Sequence, residues 1–459
     1  MLAKFLKVRK KDAQKLVKEL RKQFDYVSIL GTIVSNKRIL VSTTTNSIDE
    51  YDSECGFVIK VYKDGRYSEY SCNDIKGLSV KEIVSSINLK DYYSTDFKVK
   101  MLQEEEHVED FLREDNKPVS NTQILSKLTS IKNRIHSNDK VINCNCAYIL
   151  RQTNKIFVSE KKCLTQKYDW INCMLSVVVR DGNNIKDNYI AEGEASSALA
   201  LKKLDKDADS VLDIAIKLLN SKPVKPGKYT IITDPSISGL IAHEAFGHGV
   251  EMDMFVKNRA KAKNFIGKQV ASKLVNMYDG AASCISAASY FFDDDGIEAS
   301  NTHIIKDGIL QTGISDSLSA LSLGSKPTGN GRREAFDHKV YTRMTNTFFG
   351  AGKDKVEDMI KSVKHGYYLC QTNNGMEDPK NWQIQCTASY GLEIKDGKFT
   401  GEIIAPVVIS GYVIDLLKSI SMVSDKVHVH GSGMCGKGHK EWVYVSDGGP
   451  YLKAEAKLG

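Results

Sequence analysis

Residues 243–248 read "HEAFGH", with two histidines, His243 and His248, and Glu244 directly after the first. Imidazole nitrogens bind zinc, and a carboxylate beside a metal-bound water can take its proton during attack on a carbonyl. The zinc-protease pattern H-E-x-x-H spaces its histidines four apart; here one extra residue intervenes. On a regular helix, positions four apart lie about 40° from each other around the axis, whereas positions five apart lie about 140° apart. His243 and His248 would therefore diverge. They converge if the extra residue is absorbed as a π-bulge, a distortion frequent at functional sites, or if the helix ends near Gly247. Glycines at 247 and 249 make either distortion cheaper. A buried Glu244 is costly without a partner, which sharpens the catalytic reading. The same letters also suit a plain core helix with two hydrogen-bonded histidines and a surface glutamate.

Other reactive residues are less constrained. Cys435 lies in "GSGMCGKGH" (431–439), where glycines would let a thiol approach another group closely, as a ligand or a nucleophile. By itself the segment reads more readily as a loop cysteine without a role. His428 and His430 alternate along a predicted strand and face one side. "GSKPTGNGRRE" (324–334) is glycine-rich and basic but lacks the Gly-Lys-Ser/Thr ending of a phosphate loop, so it reads as structural. "DDD" (293–295) reads as a solvated acidic turn rather than a cation site. No Gly-x-Ser-x-Gly elbow of a serine hydrolase is present.

These residues need a scaffold, and the periodicities outline one. Residues 11–24 place Ala13, Leu16, Val17, Leu20 and Phe24 on one helical stripe, and 122–135 do the same with Ile124, Leu125, Leu128, Ile131 and Ile135. Residues 209–220 predict a helix capped by Asp209 or Ser210. "SKPVKPGKY" follows and cannot continue it, which places a boundary between an N-terminal α/β domain, 1–222, and a β-rich C-terminal domain, 223–459. Lys-Asp-Gly recurs at 63–65, 306–308 and 395–397 between short β-type runs; each predicts a tight hairpin, and "VVVRDGNNI" (177–185) a fourth. Strands that neighbour one another in sequence imply antiparallel sheets with helices set apart, an α+β class.

At 459 residues the chain is long enough for more than one core, and its 41% hydrophobic, 26% charged composition is that of a globular protein. A net charge of +7, with no basic block, argues against specific nucleic-acid binding. No apolar run approaches the ~18 residues of a membrane span; the best, 403–417, is broken by Pro406, Gly411 and Asp415. The N-terminus lacks the apolar core of a secretory signal. Ten cysteines without a compact framework fit reduced thiols in a cytoplasmic protein.

Several segments resemble, in order, the TldD/PmbA family, also called the modulator of DNA gyrase family. They are "HEAFGHGVEMD", "FDDDGIEASNTHIIKDGIL", "PTGNGRREAF", "RMTNT", "SISMVSD" and "MCGKGH", with a looser match at "VSTTTNSIDEYDSECGFVIKVYKDGRYSEYS". The resemblance implies a zinc metallopeptidase of the TldD branch, since the PmbA (TldE) branch lacks the histidine motif. It implies that His243, His248 and Cys435 bind Zn2+, with Glu244 as general base. It also implies cleavage of extended, unfolded peptides and a dimer, either of like chains or with a related family member. The alternative is a non-catalytic peptide-binding subunit of a TldD/TldE-like complex. Glu251 rivals Cys435 as third ligand, being only three residues beyond His248. Arg332, Arg333 and His303 are candidates for oxyanion stabilisation because they sit in family-like segments.

Overall fold

The computed structural model describes residues 2–87, 98–113, 116–438 and 441–459. An N-terminal sheet of seven strands is ordered Arg66–Cys72, Asn46–Lys63, Tyr26–Ser42, Val141–Ser159 and Lys162–Asp181. His107–Leu112 and Asn184–Glu194 both pair with Lys162–Asp181, the first parallel and the second antiparallel. The short β runs expected here are in fact long: Lys162–Asp181 alone has 20 residues. Alternation fails as a guide because stretches such as Tyr26–Val34 are buried on both faces.

Side chains alternate across that sheet. One face carries helices. Lys4–Leu20 packs on Val27, Ile29, Phe57 and Ile59, while Asn121–His136 and Ser197–Leu218 pack on Ile39, Val41, Cys146 and Leu175. The first helix begins earlier than residue 11 and stops at Leu20, with Phe24 buried beyond its end. The third corrects the expected 209–220 span. Ala200, Leu201, Leu204 and Ala208 extend its buried stripe back to Ser197. Asp209 and Ser210 are therefore exposed interior positions, not caps, and Asp209 pairs with Arg134 at 3.0 Å.

The opposite face docks on the rest of the chain. Leu30, Phe157 and Leu164 cluster with Phe292, and Lys60 and Lys155 reach Asp295 and Asp294. Arg333 adds a two-pronged pair to Glu69 at 2.6 and 2.9 Å. The "DDD" turn is thus a buried clamp between sheets, not a solvated one. Asp293 turns inward and accepts backbone N–H bonds from Asp295, Ile297 and Gly331.

Two further sheets follow. The six-stranded one runs Ile309–Leu310, Thr302–Lys306, Met277–Asp279, Asn346–Phe349, Val443–Gly449 and His428–Cys435, the last at its edge. In the other, His365–Asp378, Gly227–Thr233, Leu452–Leu458, Val407–Tyr412 and Gln383–Lys395 pair in turn, and Gln383–Lys395 pairs back to His365–Asp378. The pairings close into a ring. Helix Pro235–Ala242 leaves this ring and lies against the six-stranded sheet, so close that a Cβ on Gly239 would stand 2.4 Å from the Gly448 nitrogen.

All three Lys-Asp-Gly copies turn hairpins. The pairs Lys63↔Arg66, Lys306↔Ile309 and Lys395↔Lys398 enclose Asp-Gly turns with positive φ at both residues. The fourth hairpin closes at Asp181↔Asn184. Besides His107–Leu112, two pairings between strands among the described residues are parallel: Asn346–Phe349 with Val443–Gly449 and His365–Asp378 with Gly227–Thr233. Each joins distant segments, which turn residues cannot report. All ten cysteines are free thiols, and among the described residues no helix is long and apolar enough to cross a membrane.

Candidate metal centre

Asp234 starts the histidine helix by accepting the Ile237 N–H at 2.8 Å, with Pro235 in its first turn. Eight residues of α-helix follow, to Ala242. Residues His243–Gly247 are then π-helical, and the His248 N–H donates to the His243 carbonyl, five residues back. A 3-10 turn, His248–Val250, completes the segment. The extra residue is therefore absorbed, and the two rings meet edge to face with centroids 5.1 Å apart. Gly247 keeps ordinary helical angles, φ −65 and ψ −66. Room, not flexibility, is what it supplies: a Cβ there would lie 2.0 Å from the Met344 sulfur.

Cys435 ends the edge strand His428–Cys435, held in register opposite Val443. Its Sγ lies 3.3 Å from His248 Nε2, and one donor atom each from His243, His248 and Cys435 fall within 4.8 Å of one another. Burial pushes the Cys435 thiol up, but the two imidazoles and their hydrogen bonds outweigh it and bring it down to about 4. The thiol is thus poised as a thiolate.

Glu251 stands outside this triplet. It is 1% exposed and faces His248 Nδ1 at 3.3 Å, Lys437 at 3.0 Å and Arg343 Nε at 3.7 Å. Burial alone would raise its carboxyl, yet Lys437, His248 and Arg343 hold it at about 2. An ionised Glu251 at Nδ1 orients the His248 ring so that Nε2 is turned to Cys435. Arg343 also donates to the Cys435 carbonyl at 2.8 Å, tying thiol and carboxylate together. His243 offers a buried Nδ1 with no hydrogen-bond partner. Two imidazoles, a thiolate and an orphaned buried nitrogen fit a borderline-soft cation such as zinc.

Glu244, 7% exposed, lies with the triplet in a cleft of about 1450 Å³. His428 and His430 line the same cleft without joining the triplet. Arg332, Arg333 and His303 do not line it. Arg332 donates to the Met344 carbonyl at 2.6 Å, Arg333 clamps Glu69, and His303 stacks on Tyr278 beside Asn276. His439, which closes the "MCGKGH" segment, lies outside the described residues. Sequence reading missed two acids at the site. Both Glu377 oxygens are buried and unpartnered, and burial with Glu244 and Glu251 nearby pushes that carboxyl well above the usual range. Burial likewise pushes Asp447 up to about 6. Neither belongs to a recognisable motif; they reach the cleft only through strand pairing. Arg343 and Lys437 did lie in quoted segments, but nothing local marked them as partners of Glu251.

The model of the PmbA/TldA metallopeptidase C-terminal domain matches residues 226–456. A metalloprotease of Synechocystis sp. is 30% identical over 319 residues, covering 69% of this chain and 68% of that protein. A zinc metalloprotease TldD homolog of Saccharolobus solfataricus is 31% identical over 242 residues, 52% of this chain and 53% of its own. Among solved structures, a Thermotoga maritima protein described as a modulator of a DNA gyrase superposes with TM-score 0.77 at 18% identity, covering 98% of this chain and all of that one. TldE from Thermococcus kodakarensis gives 0.72 at 19% identity, covering 97% and 99%. At these identities the structures speak for the fold.

Proposed function

Because the chain belongs to the PmbA/TldD metallopeptidase family, we propose that it is a zinc-dependent peptidase hydrolysing short or unfolded peptides. The observation that carries this reading is the convergence of His243, His248 and Cys435 beside Glu244 in one cleft. In this reading His243, His248 and Cys435 hold the ion. When bound, zinc supplies Lewis acidity and makes water a nucleophile at neutral pH. Glu244 takes the proton of the attacking water and returns it to the leaving amine nitrogen. Glu251 keeps His248 in place. Strand His428–Cys435 lines the cleft and ends at the thiol, with Gly193 of Asn184–Glu194 packed on its Gly431 carbonyl, so an extended peptide adds beside its Gly433–Cys435 end through main-chain hydrogen bonds.

Residues 1–222 then act as a covering domain and 223–459 as the chemical one, a division supported by the helix ending at Leu218 and the family match beginning at 226. Pairing with a second copy or with a TldE-like relative fits the fold shared with TldE. Ten free thiols fit a reducing, cytoplasmic setting. The test is zinc content of the purified chain, with cleavage of an unfolded polypeptide before and after chelation. A chain that binds such peptides and never cuts them, even zinc-loaded, is the non-catalytic subunit instead.

A further inference from the structure

Carboxylates near the centre fall into two groups. Glu251 and Asp253 share Lys437, Asp294 has Lys155, Asp295 has Lys60, and Asp279 accepts from Thr345, Thr347 and Asn330. Glu244, Glu377 and Asp447 have no side-chain hydrogen bond or ion pair to any described residue. All three line the cleft, along with Asp207 and Asp234. Among the described residues lining it there is no lysine or arginine, in a chain whose net charge is +7. The acids around the cleft have a cation or hydrogen-bond donors, and Glu244, Glu377 and Asp447 inside it have neither. A divalent ion and the Cys435 thiolate carry one net positive charge between them, which Glu244 offsets, leaving Asp447 and Glu377 in the cleft with no cation of their own. Its rim is apolar and adaptable: Met174, Met376, Met434 and Trp442 line it and are exposed.

We propose that the cleft selects cationic peptides, with Asp447 and Glu377 taking a positive group close to the scissile bond and the methionine–tryptophan rim accepting apolar neighbours. This rests on the peptidase reading for the position of the scissile bond, but the charge preference belongs to the cleft itself. A low-dielectric cleft lined by one sign of charge concentrates ligands of the opposite sign. The positive group can be a lysine or arginine side chain or the peptide's α-ammonium; the chemistry is shared. Unpartnered buried carboxylates are unfavourable alone and gain a partner when such a group arrives.

The experiment uses the zinc-loaded full chain and unfolded peptides of equal length that differ only in Lys, Gln or Glu beside the cleavage point, each with a free and an acetylated N-terminus. kcat/KM for the Lys series should exceed that for the Glu series by about tenfold or more at low salt. The gap should shrink at 1 M salt, where the screening length falls to about 3 Å. Asp447→Asn and Glu377→Gln, at unchanged zinc content and melting temperature, should bring the ratio toward unity. A preference that vanishes on acetylation assigns the group to the α-ammonium, and one that survives assigns it to side chains. Equal or reversed preference, or a preference that neither variant alters, overturns the proposal. Fluorescence anisotropy of labelled Lys and Glu peptides reads the same preference without hydrolysis. A chain that favours Lys peptides but cuts none overturns only the peptidase reading, and one that cuts both series alike overturns only the charge selection.

Discussion

Replacing Glu251 by Gln removes one buried negative charge and leaves two buried cations, Lys437 and Arg343, to find other partners. Breaking a buried pair in this way costs about 3–5 kcal/mol when the remaining charge is stranded. Here the lower end applies, because Lys437 keeps Asp253 at 2.7 Å and Arg343 keeps the Cys435 carbonyl at 2.8 Å. On the metal side, the loss is the carboxylate that orients His248 through Nδ1. Groups in that position are typically worth about 10–100-fold in metal affinity. The expected result is a stability loss of about 3 kcal/mol by urea unfolding and zinc binding weakened about 10–100-fold but still measurable by chelator competition. Cys435→Ser, which swaps an anionic soft donor for a neutral hydroxyl, should lose its zinc on the same dialysis. If the serine variant keeps its metal and the glutamine variant loses it, Glu251 is the ligand and the assignment of Cys435 is wrong.

Glu244→Gln should retain zinc and lose peptide hydrolysis by about 10²–10⁴-fold, the usual contribution of a general base; near-normal turnover would remove Glu244 from that role. Cys435 should resist alkylation in the zinc form and react after chelation, by mass spectrometry of the modified thiol; equal labelling in both forms would argue against coordination. Gly247→Ala should destabilise the protein by about 1–3 kcal/mol, because the added Cβ collides with the buried Met344 sulfur, and trimming Met344 to Ala in the same chain should relieve that collision. Burial would raise Glu69, but Arg333 and Lys60 hold it at about 2. A carboxyl depressed in the folded state gives stability that is complete above its ordinary range near pH 4.5 and is lost as pH falls toward 2. Denaturation monitored across that window should show part of the acid sensitivity disappear in Glu69→Gln; an unchanged profile would separate Glu69 from the clamp.

Much of this protein is local enough to read from its letters. Asp-Gly dipeptides determine three hairpins because few residues other than glycine and asparagine or aspartate tolerate two successive left-handed positions. Helix Asn121–His136 follows from its apolar spacing. The histidine spacing, set against the periodicity of a helix, already demanded an irregular turn, and a π-helical segment is one of the two forms that satisfy it. Tertiary structure alone decided the rest, because it depends on pairing between distant segments. Cys435 reaches His248, 187 residues away, through strand register, an approach that no local spacing announces. The Asp293–Asp295 turn reads as solvated until the Lys60 and Lys155 side chains of another sheet arrive. Asp447 and Glu377 carry no local signature at all. Their place in the cleft comes from which strand edges meet there, which no spacing along the chain encodes.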